Sequence, residues 1–140
     1  MTKEKITVEV FVKVPVAETW KYFTLSEHVT GWNYAGDDWH CPRATNDLQV
    51  GGKFCYNMAA KDESFSFDFE GEYTQVAENV KIAYVLADGR EVHISFEDAG
   101  DATIITEVFD PENENPIELQ RQGWQMILNN FKKYAESKHQ

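Results

Sequence analysis

Hydrophobic and polar residues alternate near the start of the chain. Every second residue from Ile6 to Val14 is isoleucine or valine, and most residues between them are polar. This period of two is typical of a strand with one buried face. Pro15 keeps Val14 extended and suits the first position of a helix. The pattern therefore predicts a strand over 5–14, followed by two short helices of which the first spans 15–23.

A run of antiparallel strands is predicted for the middle of the chain. Residues 32–47 lack a clear period and predict an ordered loop. Alternation resumes after Gly51-Gly52, with Phe54, Tyr56 and Met58 on one face. Hairpin signals such as Asp88-Gly89 separate the strands that follow. These further strands are predicted at 65–74, 81–86, 91–96 and 102–109.

The last part of the chain predicts one long helix. Asn115, Pro116 and Glu118 form a helix start, and the helix is expected to run to about Glu136. About 20 helical residues span about 30 Å, which is the length of a ten-residue strand, so the helix can cross a curved sheet. An α+β fold in one domain over 1–140 is predicted. The apolar stripe expected to face the sheet, against Phe67, Phe69 and Ile94, consists of Ile117, Gln120, Trp124, Ile127, Leu128, Phe131, Tyr134 and Ala135.

Charge and composition exclude several classes of protein. The chain has 24 acidic against 13 basic residues and a net charge of −11, so its field repels nucleic acids. No apolar run approaches the ~18 residues of a membrane helix, and the charged N-terminus does not resemble a secretory signal. Cys41 and Cys55 do not make a disulfide framework. We therefore predict a cytoplasmic protein with reduced cysteines, no nucleic-acid partner and no membrane insertion.

Sequence motifs for metals and cofactors are weak. Asp37, Asp38, His40 and Cys41 are potential metal ligands within five residues, but positions so close in sequence rarely converge on one ion. The segment 50–53 lacks the spacing of a phosphate-binding loop and leads into a strand. The sequence therefore predicts neither a metal nor a cofactor.

Five short sequence motifs, together with the order of elements, indicate a family. They occur at 14–20 (VPVAETW), 31–32 (GW), 50–54 (VGGKF), 71–73 (GEY) and 123–124 (GW). The chain resembles the START-like (SRPBCC) superfamily, whose helix-grip fold wraps a curved antiparallel sheet in the order β-α-α-β(5–6)-α around a long C-terminal helix. Within it, the chain is similar to the branch of the heat-shock-protein-90 ATPase activator homologues.

This resemblance implies a pocket between the last helix and the sheet. Members of the superfamily hold apolar or aromatic small molecules there, and a minority are cyclases or hydratases, without a shared catalytic residue. Chaperone activators resemble this chain only in their C-terminal domain. The separate N-terminal domain that chiefly engages the chaperone has no room in 140 residues. A chaperone partner is therefore possible in this branch but is not supported by the length of the chain.

Aromatic residues are the main evidence in the sequence for a ligand pocket, because aromatic walls with a few polar groups suit a flat apolar molecule. The alternative is a filled core. Gly123, in the middle of the predicted helix, either allows close packing against a strand, which we favour, or leaves room for something else. The candidate ligand-binding residues are Trp32, Trp39, Tyr56, Met58, Phe67, Phe69, Phe96, Glu107, Trp124, Ile127 and Leu128.

Glu107 is the candidate catalytic acid or base, with Tyr56 as a hydrogen-bond donor. The pattern of the last strand is ambiguous, so Glu107 faces either the solvent or the interior. In the interior, desolvation would raise its pKa. His93 is expected on the outer, solvated face. The sequence thus leaves three hypotheses: small-molecule binding, a cyclase or hydratase using Glu107 and Tyr56, and a chaperone-interaction module.

Overall fold

The computed structural model describes residues 4–34 and 36–139. Within them, seven strands and three helices follow one another along the chain. The helices are α1 (Val16–Thr24), α2 (Ser26–Val29) and α3 (Ile117–His139). The strands are β1 (Ile6–Val12), β2 (Trp39–Asn46), β3 (Lys53–Ala60), β4 (Ser66–Ala77), β5 (Lys81–Leu86), β6 (Glu91–Asp98) and β7 (Thr103–Phe109).

All seven strands form one antiparallel sheet. Its order is β1-β7-β6-β5-β4-β3-β2, so consecutive strands are neighbours from β2 to β7 and the first strand of the chain pairs with the last. The sheet curls into a half-barrel, with α3 as the long C-terminal helix of the α+β fold. The predicted helix-grip fold is confirmed.

Strand β1 has the alternating burial that its sequence predicts. Its isoleucine and valines face the core, and Val14 after it is fully buried. The Val14 carbonyl accepts hydrogen bonds from the Thr19 hydroxyl at 3.0 Å and the Thr103 hydroxyl at 2.8 Å. Both threonines are fully buried as well. Their hydroxyls thus supply the hydrogen bonds that the buried Val14 carbonyl, at the turn into α1, would otherwise lack.

Helix α3 packs chiefly at one side of the curved sheet. Its close backbone contacts are with β1 and α1. Leu128, Phe131 and Ala135 are almost fully buried there, in agreement with the predicted stripe. The helix is therefore anchored at the β1 side, and this arrangement leaves space between its first turns and strands β3 to β5.

The predicted loop over 32–47 is wrong in its second half, because β2 occupies Trp39–Asn46. Strand β2 lies at the edge of the sheet and pairs only with β3, with a register shift between His40 and Arg43. Pro42 falls in this irregular stretch, where an edge strand tolerates proline. The bulge and the proline disrupt the alternation from which a strand would have been predicted.

Two residues assigned to the contact between helix and sheet are more exposed than predicted. Ile117, in the first turn of α3, is 42% exposed, and Phe67, at the start of β4, is also 42% exposed. Both lie where the helix and the sheet separate. None of the helices in the described part of the chain has the length and hydropathy needed to cross a bilayer.

Candidate functional site: an aromatic cavity between α3 and the sheet

A cavity of about 370 Å³ lies between α3 and the concave face of the sheet. Strands β3, β4, β5, β6 and β7 each contribute inward side chains to it. The other lining residues come from α1, the segment before β2, the turn between β5 and β6, the segment before α3, and α3 itself. Phe67 and Leu119 both line the cavity and are exposed to solvent, so the cavity opens beside them. The interior is therefore not filled by its own side chains.

The wall formed by the sheet is largely aromatic. Phe54 lies at its centre, with ring centroids 4.7 Å from Tyr84 and 4.9 Å from Tyr56. Gly71 lies opposite Phe54 on β4, and a Cβ atom there would come within 2.6 Å of the Phe54 ring. Glycine in the 71–73 motif thus has a physical cause, because only a residue without a side chain lets Phe54 lie flat across β4.

The helical wall is anchored by Trp124. Its ring stacks on Phe109 of β7, with centroids 3.8 Å apart and planes at 16°, and meets Phe69 edge-on at 6.0 Å. Trp124 is only half-buried and also lines the cavity. One part of the ring is therefore packed in the core, while another part faces the open space.

Glu107 places a carboxyl group among largely apolar and aromatic side chains of the cavity wall. It lies in β7 between the inward residues Ile105 and Phe109, is 7% exposed and lines the cavity. Burial raises its pKa to about 8, and no charged or hydrogen-bonding partner among the described residues counteracts that shift. The structure thus resolves the ambiguous pattern of the last strand in favour of the inward register. The carboxyl is mostly protonated at neutral pH.

Three tyrosines carry hydroxyl groups on the cavity wall. Burial, with the nearby charge of Glu107 as a smaller cause, raises the pKa of Tyr84 well above its usual range. Burial and the neighbouring Tyr73 do the same for the pKa of Tyr56. The Tyr73 hydroxyl donates to Asn46 Oδ1 at 2.5 Å. Among these tyrosines, Tyr84 is the one whose raised pKa has the charge of Glu107 among its causes.

Gly123 corrects our interpretation of the helix. The predicted close packing against a strand is wrong, because a Cβ atom added at Gly123 would meet nothing within 4 Å outside its own stretch of helix. Gly123 lines the cavity, on the same face of α3 as Gln120, Trp124 and Ile127. The absence of a side chain leaves room in the cavity.

Most of the predicted ligand-binding residues come together around this space. Those that line it are Trp32, Tyr56, Met58, Phe67, Phe69, Glu107, Trp124 and Ile127.

Three other predicted residues do not line the cavity. Phe96 packs against Trp20 and Phe23 in the core, at centroid distances of 5.1 and 5.4 Å, and Leu128 is buried beyond the cavity in α3. Trp39 is half-buried and contacts Phe65 and Phe67 on the hairpin between β3 and β4. Predicting which face of a strand or helix points inward was not sufficient to identify the lining residues, because the cavity extends over only part of each element.

Several lining residues were not predicted as site residues. Phe54 and Tyr84 could have been found, because each shares a face with a predicted or buried neighbour on its strand. Asn33, Arg90 and Glu112 could not, since they lie outside regular elements. Arg90 is held by Asp88 through an ion pair of 2.7 Å.

The candidate metal ligands at 37–41 differ in burial. Asp37, Asp38 and His40 are exposed, whereas Cys41 is buried. Within residues 4–34 and 36–139, one group of three potential ligands does converge, namely Cys55, Asp68 and Glu70. It lies on the face of the sheet opposite the cavity, and both acids are exposed. His93 is partly exposed on that outer side and pairs with Glu91 at 3.3 Å.

A helix-grip protein with an open aromatic cavity is the class that this fold and site define. Residues 13–136 match the family model described as Activator of Hsp90 ATPase homolog 1-like protein. The chain belongs to this family, as the sequence motifs indicated. No protein of curated function matches the sequence significantly.

Solved structures agree with the family. The AHSA1-like protein from Aeromonas hydrophila is 38% identical, with a TM-score of 0.90, over 96% of this chain and 94% of that chain. A protein from Cytophaga hutchinsonii is 52% identical, with a TM-score of 0.82 and the same coverage. DynU16, from the dynemicin biosynthetic locus, shares the fold alone: it is 15% identical, with a TM-score of 0.73, over 97% of this chain and 48% of that chain.

Proposed function

We propose that this protein binds a small apolar molecule, aromatic or lipid-like, in the cavity between α3 and the sheet. The observation that carries the proposal is the open space of about 370 Å³ with walls of aromatic rings. Ligand pockets have volumes of about 300–1,000 Å³ and are mostly apolar with a few polar groups. A space of this size, open beside Phe67 and Leu119, matches that description.

Gly123 supports the proposal independently of the volume. Glycine within a helix costs about 1 kcal/mol relative to alanine, and no neighbouring strand requires it here. The sequence therefore accepts a less stable helix at a position of α3 where a larger side chain would extend into the cavity. Such a cost is expected where the space itself has a use.

The fluorescent apolar dye N-phenyl-1-naphthylamine tests this function directly. We expect saturable enhancement of its fluorescence by the wild-type protein and displacement by flat apolar compounds. In Gly123→Leu, the added side chain occupies the cavity, so the affinity for the dye should fall at least tenfold. Gly123→Ala is the matched control, since it adds one methyl group and should bind within about threefold of wild type.

Thermal unfolding of each variant accompanies the titration, because leucine and alanine both favour a helix over glycine. If no flat apolar compound binds the wild-type protein, the proposed function is wrong. It is also wrong if a folded Gly123→Leu protein binds the dye as tightly as wild type, because binding would then occur elsewhere.

An enzyme of the cyclase or hydratase type is the second candidate function. The burial of Glu107 on the cavity wall favours it, since a carboxyl with a raised pKa can act as an acid or base near neutral pH. Tyr56 was the predicted hydrogen-bond donor, yet no hydrogen bond joins it to Glu107 within the described residues. Ligand binding without turnover in Glu107→Gln, beside turnover in wild type, would favour the enzyme.

The chaperone-interaction module and the cytoplasmic location stay predictions from sequence. The family description names an Hsp90 ATPase activator homologue, which motivates the first. The composition motivates the second.

A further inference from the structure

The Glu107 carboxyl has no counter-ion within the described part of the protein. It is 7% exposed, lines the cavity, and has no cationic partner among residues 4–34 and 36–139. Arg90 is the one basic side chain on the described wall, and its guanidinium is paired with Asp88 at 2.7 Å. A buried carboxyl without a partner is costly, so a ligand that supplies the missing charge gains a specific interaction.

The surroundings of Glu107 also favour a cation. The rings of Phe54, Tyr56, Phe69, Tyr84 and Trp124 line the same space, and the faces of aromatic rings attract cations by about 0.5–2 kcal/mol each. A second acid, Glu112, lies on the wall, and the whole chain has a net charge of −11. This charge raises the local concentration of cationic molecules near the cavity.

We propose that the ligand is an apolar, aromatic molecule carrying one amine, whose ammonium group pairs with the Glu107 carboxylate among the aromatic rings. This inference rests on the proposed function, because it names the class of molecule held in the same cavity. On binding, Glu107 transfers its proton to solvent and the ammonium group keeps its own. The bound state is thus an ion pair formed with release of one proton.

Loss of the proton release in Glu107→Gln assigns the proton to Glu107, which shares the described wall with five other titratable groups. They are Tyr56 on β3, Tyr73 on β4, Tyr84 on β5, Arg90 in the turn between β5 and β6, and Glu112 before α3. The pKa values of the three tyrosines lie above their usual range because of burial. The residues of α3, α1 and β6 that line the cavity carry no titratable group.

Three naphthalenes of nearly equal shape test the proposal by isothermal titration calorimetry at pH 7 and 8. They are 2-(2-naphthyl)ethylamine, 2-(2-naphthyl)ethanol and 2-propylnaphthalene. At pH 8 we expect the amine to bind wild-type protein at least tenfold more tightly than the alcohol. In phosphate and Tris buffers at pH 7, the observed heats should differ by an amount that corresponds to release of close to one proton.

Glu107→Gln should abolish the preference for the amine and the proton release, while binding of 2-propylnaphthalene remains. Glu97→Gln is the matched control, because it makes the same substitution at an exposed acid on the outer side of β6, away from the cavity. This variant should keep the preference. Thermal unfolding and binding of 2-propylnaphthalene verify that each variant is folded.

The outcomes separate this inference from the proposed function. If the amine and the alcohol bind wild type equally, the cationic ligand is excluded while apolar binding stands. An unchanged preference in Glu107→Gln likewise overturns the inference. If none of the three compounds binds, the proposed function falls as well.

Discussion

Glu107 shows how a single residue links sequence to chemistry in this protein. Its inward position follows from the register of β7, in which residues 105, 107 and 109 are all buried. Carboxyl groups are rarely buried without a partner, because the charged form loses its hydration. The protein therefore keeps Glu107 protonated at neutral pH, at a cost in stability that grows as the pH rises above about 4.5.

The first prediction at the residue scale concerns stability against pH. The pKa of Glu107 is about 8 in the folded protein, against an ordinary value of 4.5. Between these values the folded state binds more protons than the unfolded chain, so this carboxyl makes stability fall as pH rises from about 4.5 to about 8. Relative to wild type, Glu107→Gln should be equally stable near pH 4.5 and more stable at pH 8.5, by at most about 5 kcal/mol.

Urea unfolding of both proteins between pH 4.5 and 9 measures this difference. Asp110, whose pKa is lowered chiefly by a hydrogen bond from Lys5, contributes with the opposite sign and only at lower pH. A constant difference between variant and wild type across the range would contradict the buried, unpaired state of Glu107.

A second prediction at this scale concerns Trp124. Its replacement by alanine removes the stacking on Phe109 and the edge contact with Phe69, but one part of the ring already faces open space. We expect a loss of about 2 to 3 kcal/mol in the free energy of unfolding, below the 3–5 kcal/mol typical of large aromatic residues in a filled core. Trp124→Phe is the control and should lose less. A loss of 5 kcal/mol or more would mean that the whole ring is packed.

At the scale of elements, α3 also protects the free edge of β1. Strand β1 ends the sheet, so every second residue has backbone groups that no strand pairs. Polar side chains of α3 form hydrogen bonds with backbone groups along this edge. The bonds are Gln125 Nε2 to Glu9 O at 3.0 Å, Lys132 Nζ to Phe11 O at 2.7 Å, and Lys13 N–H to Glu136 Oε2 at 2.9 Å. The polar face of the helix therefore covers an edge that could otherwise pair with another chain.

The prediction at the element scale follows from the last of these bonds. Glu136→Ala removes the acceptor of the Lys13 amide, so exchange of this amide with solvent deuterium should accelerate by about tenfold. Stability should fall by about 1 kcal/mol, the usual contribution of one hydrogen bond. Lys133→Ala is the control, because Lys133 is exposed on the same helix and takes no part in the bond between Lys13 and Glu136. Unchanged exchange at Lys13 in Glu136→Ala would show that Glu136 does not protect the edge.

For the molecule as a whole, the periodicity of the sequence was sufficient to predict most of the helices and strands. The alternation in β1 and β3, the hairpin glycines and the start of α3 predicted the order of elements in an α+β fold, because each of these signals acts locally. The family resemblance then implied the helix-grip fold. The exception was β2, where Pro42 and the bulge removed the period. Gly123 was misinterpreted because its cost to the helix is local, whereas the reason for a glycine is the empty space beside it, which no local pattern shows.

The amino-acid sequence by itself determined the order of the strands and helices other than β2, the family, and the negative electrostatic field of the acidic chain. These properties depend on neighbours along the chain or on sums over it. Only the tertiary structure decided that α3 stands away from β3 to β5, that Glu107 faces the resulting space and that Phe96 and Leu128 do not. The physical reason is that a cavity is a mismatch between surfaces that are distant in sequence. Its size depends on the curl of the sheet and the anchoring of the helix at β1, which no local pattern records.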